Sequence, residues 1–321
     1  MYSLNGRFKR ALVTGGAGFV GSHIVEELLA DGLEVVSVDD YSAGKAKNLQ
    51  PFKENVKLTE VNCDITDRSK LGPFFDGVDI VFHEAVSKMT VCLKNPRRDL
   101  QINAEGTFNL LELSRDFGVK KFIHASTGSV YGEAKYYPTD EKHPVNPTSF
   151  YGVSKLAGEK YVRLFSEMFG IDTTILRYYH VYGPRQENSE VGGVVSIFAK
   201  LAMEGRPLTI FGDGTQLRSF TYVKDVVNVI NWFLNKPKIN GLFNVGSSIP
   251  QSFNYLAKCV YRNCNISENI EYIDTPKKIR KQYQYFTKAS LNKLRKVGYN
   301  DKFFNLKDGI NDYIQNYLIK L

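Results

Sequence analysis

The feature that most constrains the fold is an alternation across the first 180 residues. Six short apolar runs read as strands: ALVTG (11–15), EVVSVD (34–39), VKLTEVNC (56–63), DIVFHEA (79–85), KFIHAS (121–126) and TTILRYY (173–179). Between several of them apolar residues recur at helical period, as in SHIVEELLADG (22–32) and TFNLLELSRDFG (107–118), closed by Gly32 and Gly118. Parallel strands need a crossover, and the crossing helices cover both faces of the sheet. The pattern predicts an α/β fold built on a doubly wound parallel sheet. After Gly183-Pro184 the texture changes to loop-rich segments, GPRQENSEVGG (183–193) and FGDGTQLRSF (211–220). Helical stretches follow around 194–204 and 223–235, then a buried strand in GLFNVGS (241–247) and a basic, aromatic stretch from Pro276 to Lys296.

The first strand leads into GGAGFVG, with Gly15, Gly18 and Gly21 in the spacing GxxGxxG at the opening of a helix. Glycines there permit a tight turn and close approach of a pyrophosphate, and the helix N-terminus offers free N–H groups. The second strand ends on Asp39, about where an acid meets the hydroxyls of an adenosine ribose. Together these predict a dinucleotide site and a Rossmann-type sheet: residues 1–180 as the dinucleotide-binding domain, with a strand near 241–246 returning to it, and residues 181–321 as a smaller C-terminal substrate lobe. NAD is the expected cofactor because Asp39 disfavours a 2′-phosphate. NADP is the alternative, since Lys45 and Lys47 lie just downstream. Asp64, His83, Glu84 and Thr127 fall at the carboxyl ends of other strands, where open α/β sheets bind ligands.

In SFYGVSK (149–155), Tyr151 and Lys155 stand one helical turn apart, after Asn146-Pro147. The spacing alone also describes a half-buried aromatic beside a solvated lysine. A free tyrosine has a pKa of about 10, too high for a base near neutrality. A lysine about 4 Å away favours phenolate by roughly 1–4 kcal/mol, so the pair is expected to act as an acid/base.

Composition excludes several classes. Cys63, Cys92, Cys259 and Cys264 are scattered, without CxxC spacing or a completing histidine pair, so no metal is expected. No apolar run approaches a membrane span, and the chain reads as cytoplasmic. The net charge of +8 suits a polyanion. Nucleic acid and a sugar nucleotide answer to it equally, but no interleaved aromatic–basic module points to nucleic acid, and none is expected.

These motifs together resemble the extended short-chain dehydrogenase/reductases. RYYHVYGPRQ (177–186), FGDGTQLRSFTYVKD (211–225) and FNVGS (243–247) narrow the resemblance to the sugar-nucleotide epimerase branch. The middle is similar to UDP-hexose 4-epimerases. The C-terminal run EYIDTPKKIRKQYQYFTKASLNKLRKVGYNDKF (271–303) is similar to ADP-heptose 6-epimerases. The resemblance implies Tyr151 as catalytic acid/base, with Lys155 and Thr127 as its partners. It implies a cofactor pocket of Gly15, Gly18, Phe19, Val20, Gly21, Asp39, Asp40, Asp64, Ile65, His83, Ala85, Asn103, Lys155 and Tyr178. It implies substrate contacts from Lys88, Ser126, Thr127, His180, Arg218 and Arg280, Arg218 gripping a diphosphate. It also implies a homodimer through the helices after NAEGT and from YGVSK.

The sequence departs from the pattern at His180, where asparagine is usual, and at Glu84, where a small or apolar residue is commoner. An Arg-x-Gly-Asp run near the C-terminus is missing, with Lys277, Lys278, Arg280 or Lys281 as substitutes. Gly128 and Ser129 stand where a 4,6-dehydratase carries Asp-Glu, and QENSEVGG lacks the lysine of a heptose 6-epimerase, leaving Glu187 or Glu190 for that role. The expected reaction is therefore C4 epimerisation of a nucleotide-diphosphate sugar through a transient 4-keto sugar. The alternatives are a heptose 6-epimerase-like enzyme, a sugar-nucleotide dehydrogenase or dehydratase, and a non-catalytic dinucleotide sensor.

Overall fold

The computed structural model describes residues 8–87, 89–187, 192–276 and 283–319. The expected roles of Lys88, Glu190, Lys277, Lys278, Arg280 and Lys281 therefore lie outside the described residues. Strands β1 (Arg10–Thr14), β2 (Glu34–Asp39), β3 (Leu58–Asn62), β4 (Ile80–His83), β5 (Lys121–Thr127) and β6 (Asp172–Tyr178) realise the six predicted runs. β7 (Val181–Tyr182), β8 (Leu208–Phe211), β9 (Leu217–Arg218) and β10 (Thr221–Tyr222) follow, then β11 (Gly241–Val245), β12 (Gln251–Ser252) and β13 (Ile270–Ile273). The main sheet has seven strands in the order β11-β6-β5-β4-β1-β2-β3, and β3, β2, β1, β4 and β5 pair in parallel. The order turns back between β1 and β4, which is the topological switch point where such sheets take ligands.

The helices are α1 (Phe19–Ala30), α2 (Arg68–Leu71), α3 (Met89–Lys94), α4 (Pro96–Leu100), α5 (Thr107–Asp116), α6 (Phe150–Phe169), α7 (Val194–Met203), α8 (Val223–Asn235) and α9 (Phe253–Cys264). Short pieces at 292–296 and 306–318 complete the described chain. Gly32 and Gly118 adopt φ +83° and +70°, closing α1 and α5 as the sequence implies. None of the described helices is long and apolar enough to cross a membrane, and no described cluster of side chains suits a metal.

The chain divides into two compact units. The first comprises 1–132, 145–177 and 227–243; the second comprises 133–144, 178–226 and 244–321. The change of texture after Gly183-Pro184 lies close to one crossing point. The segment 133–144 belongs to the second unit although it precedes α6, and nothing in its composition marks the crossing. In the first unit Leu12, Val38, Val61, Phe75, Leu110, Phe122, Val162 and Ile175 form one core between sheet and helices. The continuous apolar strands are buried on both faces, as a parallel sheet covered by helices requires. In the second unit β8 pairs with β13 and β7 with β10 in parallel, and β9 runs antiparallel to β12.

Candidate active site

At the carboxyl end of β1 the chain turns through Gly15, whose φ of +66° suits glycine, and enters α1. A Cβ on Gly15 would lie 2.8 Å from the amide nitrogen of Ala85, and one on Gly21 would lie 2.1 Å from the carbonyl oxygen of Gly15. The glycines thus keep this cradle open and tightly folded. Gly18 caps α1 without a side chain, no acid stands in its first turn, and Phe19 and Val20 begin it. The helix end therefore presents bare N–H groups to an anion. At the end of β2, Asp39 accepts from Ala17 N–H (3.0 Å) and Tyr41 N–H (2.8 Å), fixing the loop beside the cradle. Burial pushes the Asp39 carboxyl up, and those two bonds pull it back. These residues fit the pyrophosphate and ribose of a dinucleotide.

Arg98 bridges Asp64 and Asp40 beyond the ends of β2 and β3, at 2.5 Å and 3.6 Å. Burial raises the Asp64 carboxyl, but bonds from Thr66 and Arg98 outweigh it and leave it below its ordinary range. Ile65 belongs to the apolar core. His83 is fully buried, and both its ring nitrogens are engaged: Nδ1 with Thr14 Oγ1 (2.8 Å) and Nε2 with Thr107 Oγ1 (2.9 Å). Thr107 donates its hydroxyl proton to the Asn103 carbonyl, so it must accept from His83 Nε2–H; Nδ1 then accepts from Thr14. Thr14 in turn accepts from Ala85 N–H (3.2 Å). The side chain predicted to line the cofactor pocket thus ties β1, β4 and α5 together from within. Asn103 lies in a π-helical turn, Gln101–Gly106, where it accepts from Ser87 N–H and donates to Asp99 and Ser154.

The reacting pair sits on α6. Ser149 caps the helix by accepting from Gly152 N–H (3.1 Å), so Tyr151 falls in the first turn and Lys155 one turn on. Thr127 is the last residue of β5; its hydroxyl donates to Ser129 Oγ (3.2 Å), accepts from Ser129 N–H (3.1 Å) and is placed to hydrogen-bond the Tyr151 phenol. Ser126, one residue earlier, faces away and donates to Glu159 Oε1 (2.5 Å), as strand alternation dictates. The hydroxyl expected to touch substrate is here engaged in this internal bond.

The electrostatics differ from the expectation. Burial pushes the Tyr151 phenol up to about 12; the Thr127 bond opposes this, and the charges of Asp99, Cys92 and Glu84 add to it. Burial brings Lys155 down to about 8, against Glu84, Glu159 and Asp99, which raise it. Lowered solvation is thus the largest influence on both groups. At neutral pH the cofactor-free pair is a phenol beside an ammonium.

In the second unit Arg218 is 4% exposed, between the rings of Phe253 (5.6 Å) and Tyr283 (5.2 Å). Among the described residues no carboxylate pairs with it, and burial lowers its pKa. His180 has φ +37° and is exposed. Tyr178 is half-buried at the end of β6. The sequence reading missed Glu159, Arg177, Asp99, Thr14 and Thr107. Glu159 alone carried a signal, standing four residues beyond Lys155 on the same helical face.

Comparison with known proteins agrees with this geometry. Residues 11–246 match the family model described as "NAD dependent epimerase/dehydratase family". A UDP-glucose 4-epimerase of Mycolicibacterium smegmatis is 39% identical over 246 residues, 76% of this chain and 79% of that protein. An ADP-L-glycero-D-manno-heptose-6-epimerase of Nitratidesulfovibrio vulgaris is 33% identical over 331 aligned residues, 96% of this chain and 97% of that protein. The crystal structure of Thermus thermophilus UDP-glucose 4-epimerase in complex with NAD superposes with a TM-score of 0.86 at 32% identity, covering 97% of this chain and 100% of that one. The chain belongs to the NAD-dependent epimerase/dehydratase family, and its relatives include both epimerases that the sequence resembles.

Proposed function

We propose that the protein is an NAD-dependent sugar-nucleotide 4-epimerase. The observation that carries this reading is the placing of Thr127 at the end of β5 beside Tyr151, with the buried Lys155 one turn along the same helix and Gly128 and Ser129 following Thr127. That set supplies one acid/base and no second acid for eliminating water. Gly15, Gly18, Gly21 and the N-terminus of α1 would hold the pyrophosphate of NAD, and Asp39 its ribose. When bound, NAD supplies reversible hydride transfer at the carbinol carbon. Tyr151 first gives up its own proton to solvent; as phenolate it then takes the proton of the C4 hydroxyl, and as phenol it returns that proton to the 4-keto oxygen. Thr127 orients that hydroxyl. Lys155 holds a positive charge beside the phenolic oxygen as its proton leaves. The buried guanidinium of Arg218, paired with no carboxylate among the described residues, suits a diphosphate.

A screen of UDP-, GDP-, ADP-, CDP- and dTDP-sugars for C4 inversion tests the reading. A substrate deuterated at C4 should keep its label through inversion. Washout to solvent, an accumulating keto sugar, or loss of water would sink it. Inversion of a heptose at C6 alone would favour the second relative, with Glu187 the next residue to change. We also propose a homodimer, supported by the exposed Phe150, Val153, Leu164 and Met168 on α6, and checked by sedimentation. A cytoplasmic setting accords with Cys63, Cys92, Cys259 and Cys264 standing as thiols.

A further inference from the structure

Behind the reacting pair lies a buried ion pair that the reaction itself does not use. Tyr151, Lys155 and Glu159 recur every four residues along α6 and so share one helical face. Glu159 Oε1 accepts from Arg177 Nε (2.8 Å) and from Ser126 Oγ (2.5 Å), and its Oε2 accepts from Arg177 Nη2 (2.6 Å). Glu159 and Arg177 are each 3% exposed. The Arg177 guanidinium also lies 4.5 Å over the ring of Tyr131, in the turn that follows Thr127. These contacts together join α6, the end of β5, the turn after it and β6. Two of these, β5 and α6, are the elements that place Thr127, Tyr151 and Lys155.

We propose that Glu159 is a positioning residue of the reaction: held by Arg177 and Ser126, it sets α6 against Thr127 and fixes a negative charge one turn beyond Lys155. The proposal rests on reading Tyr151 and Lys155 as the reacting pair. Fold stability alone gives no reason for an ion pair here, since apolar residues of similar volume often serve a core as well or better. Its position on the Tyr151–Lys155 face supplies the reason.

The groups facing Lys155 are Glu84 from the loop after β4, Asp99 from α4, His83 and His124 from β4 and β5, and Tyr151 and Glu159 from its own helix. Both histidines are fully buried and held neutral, so the fixed charges are the carboxylates. A charge one helical turn away, roughly 6 Å, acts across an effective dielectric of about 20. The opposed charge of Arg177 cancels part of it. The remainder moves the protonation midpoint of Lys155 by about one pH unit.

The test is a titration of the Lys155 ammonium in the full-length protein by NMR of 13Cε-labelled lysine, its signal assigned by its loss in Lys155→Met. In Glu159→Gln, where Arg177 remains, the midpoint should move toward acid by about two pH units. Glu159→Gln leaves Arg177 buried without its carboxylate, which destabilises such sites strongly. The double variant Glu159→Gln/Arg177→Met removes that orphan charge, and its Lys155 midpoint should also move toward acid, by less. A midpoint unchanged or raised in either folded variant overturns the proposal. The measurement needs no substrate. Epimerase turnover with an unmoved midpoint sinks this inference and leaves the function; a moved midpoint without turnover on any sugar nucleotide does the reverse.

Discussion

Replacing Lys155 by Met should make the protein more stable at neutral pH while abolishing its chemistry. Lys155 is 1% exposed, and its pKa falls from the ordinary 10.5 to about 8 because burial outweighs the attraction of Glu84, Glu159 and Asp99. Below pH 8 the folded protein carries a buried ammonium that the unfolded chain would hold in water. At about 1.4 kcal/mol per pH unit, that difference costs the fold about 3 kcal/mol. Met keeps the length and apolar stem of lysine without the charge, so the variant escapes most of this cost. Between pH 8 and 10.5 the folded state binds fewer protons than the unfolded one, and wild-type stability rises with pH relative to the variant. Urea unfolding of both proteins from pH 6 to 10.5 measures the gap. The expected result is a variant more stable by about 2–3 kcal/mol at pH 7, with the gap closing toward pH 10.5. A gap that does not change with pH, or a variant less stable throughout, would refute the assignment of Lys155 as a buried, charged and destabilising group.

Tyr151→Phe should lower turnover by about 10²–10⁴-fold while leaving cofactor binding intact; steady-state kinetics within a few-fold of wild type would remove Tyr151 from its role. In cofactor-free protein the Tyr151 phenol, with its pKa of about 12, should show no phenolate absorbance below about pH 11, read as wild type minus Tyr151→Phe. Asp39→Ala should weaken NAD binding, and mass spectrometry of cofactor released from the wild type should find NAD; release of NADP would overturn the ribose role of Asp39. Arg218→Met should raise KM for the sugar nucleotide by about 10–100-fold, the range expected for a lost charged hydrogen bond, and leave cofactor affinity unchanged by calorimetry.

The fold was legible because its signals are local. Apolar runs of strand length, helices closed by Gly32 and Gly118, and the GxxGxxG turn are each decided by backbone sterics and period. All six predicted strands appear, with boundaries moved by up to two residues. The crossing of 133–144 into the second unit was not legible. It depends on which neighbours those residues meet, as when Thr139 N–H bonds the Lys288 carbonyl (2.8 Å) and Asn244 Nδ2 bonds that of Thr139 (3.0 Å). Such long-range pairings leave no period in the chain.

The site was legible in its spacing and not in its energetics. Ser126 and Thr127 look equivalent in sequence; strand parity sends one hydroxyl to Glu159 and the other to Tyr151. His83 looked like a pocket residue because it ends a strand, yet both its nitrogens are engaged within the core. The largest gap concerns the YxxxK pair itself. Four residues of spacing promised a lysine that lowers the tyrosine, an argument that holds solvation constant. Burial changes solvation for both, raising the phenol and lowering the ammonium. What keeps Lys155 cationic at neutral pH is the charge of Glu84, Asp99 and Glu159, drawn from a loop and two helices. Those acids stand 71, 56 and 4 residues from Lys155, so no local motif unites them. The spacing of the pair names the reacting atoms, while the distant carboxylates decide whether the lysine beside them carries its charge.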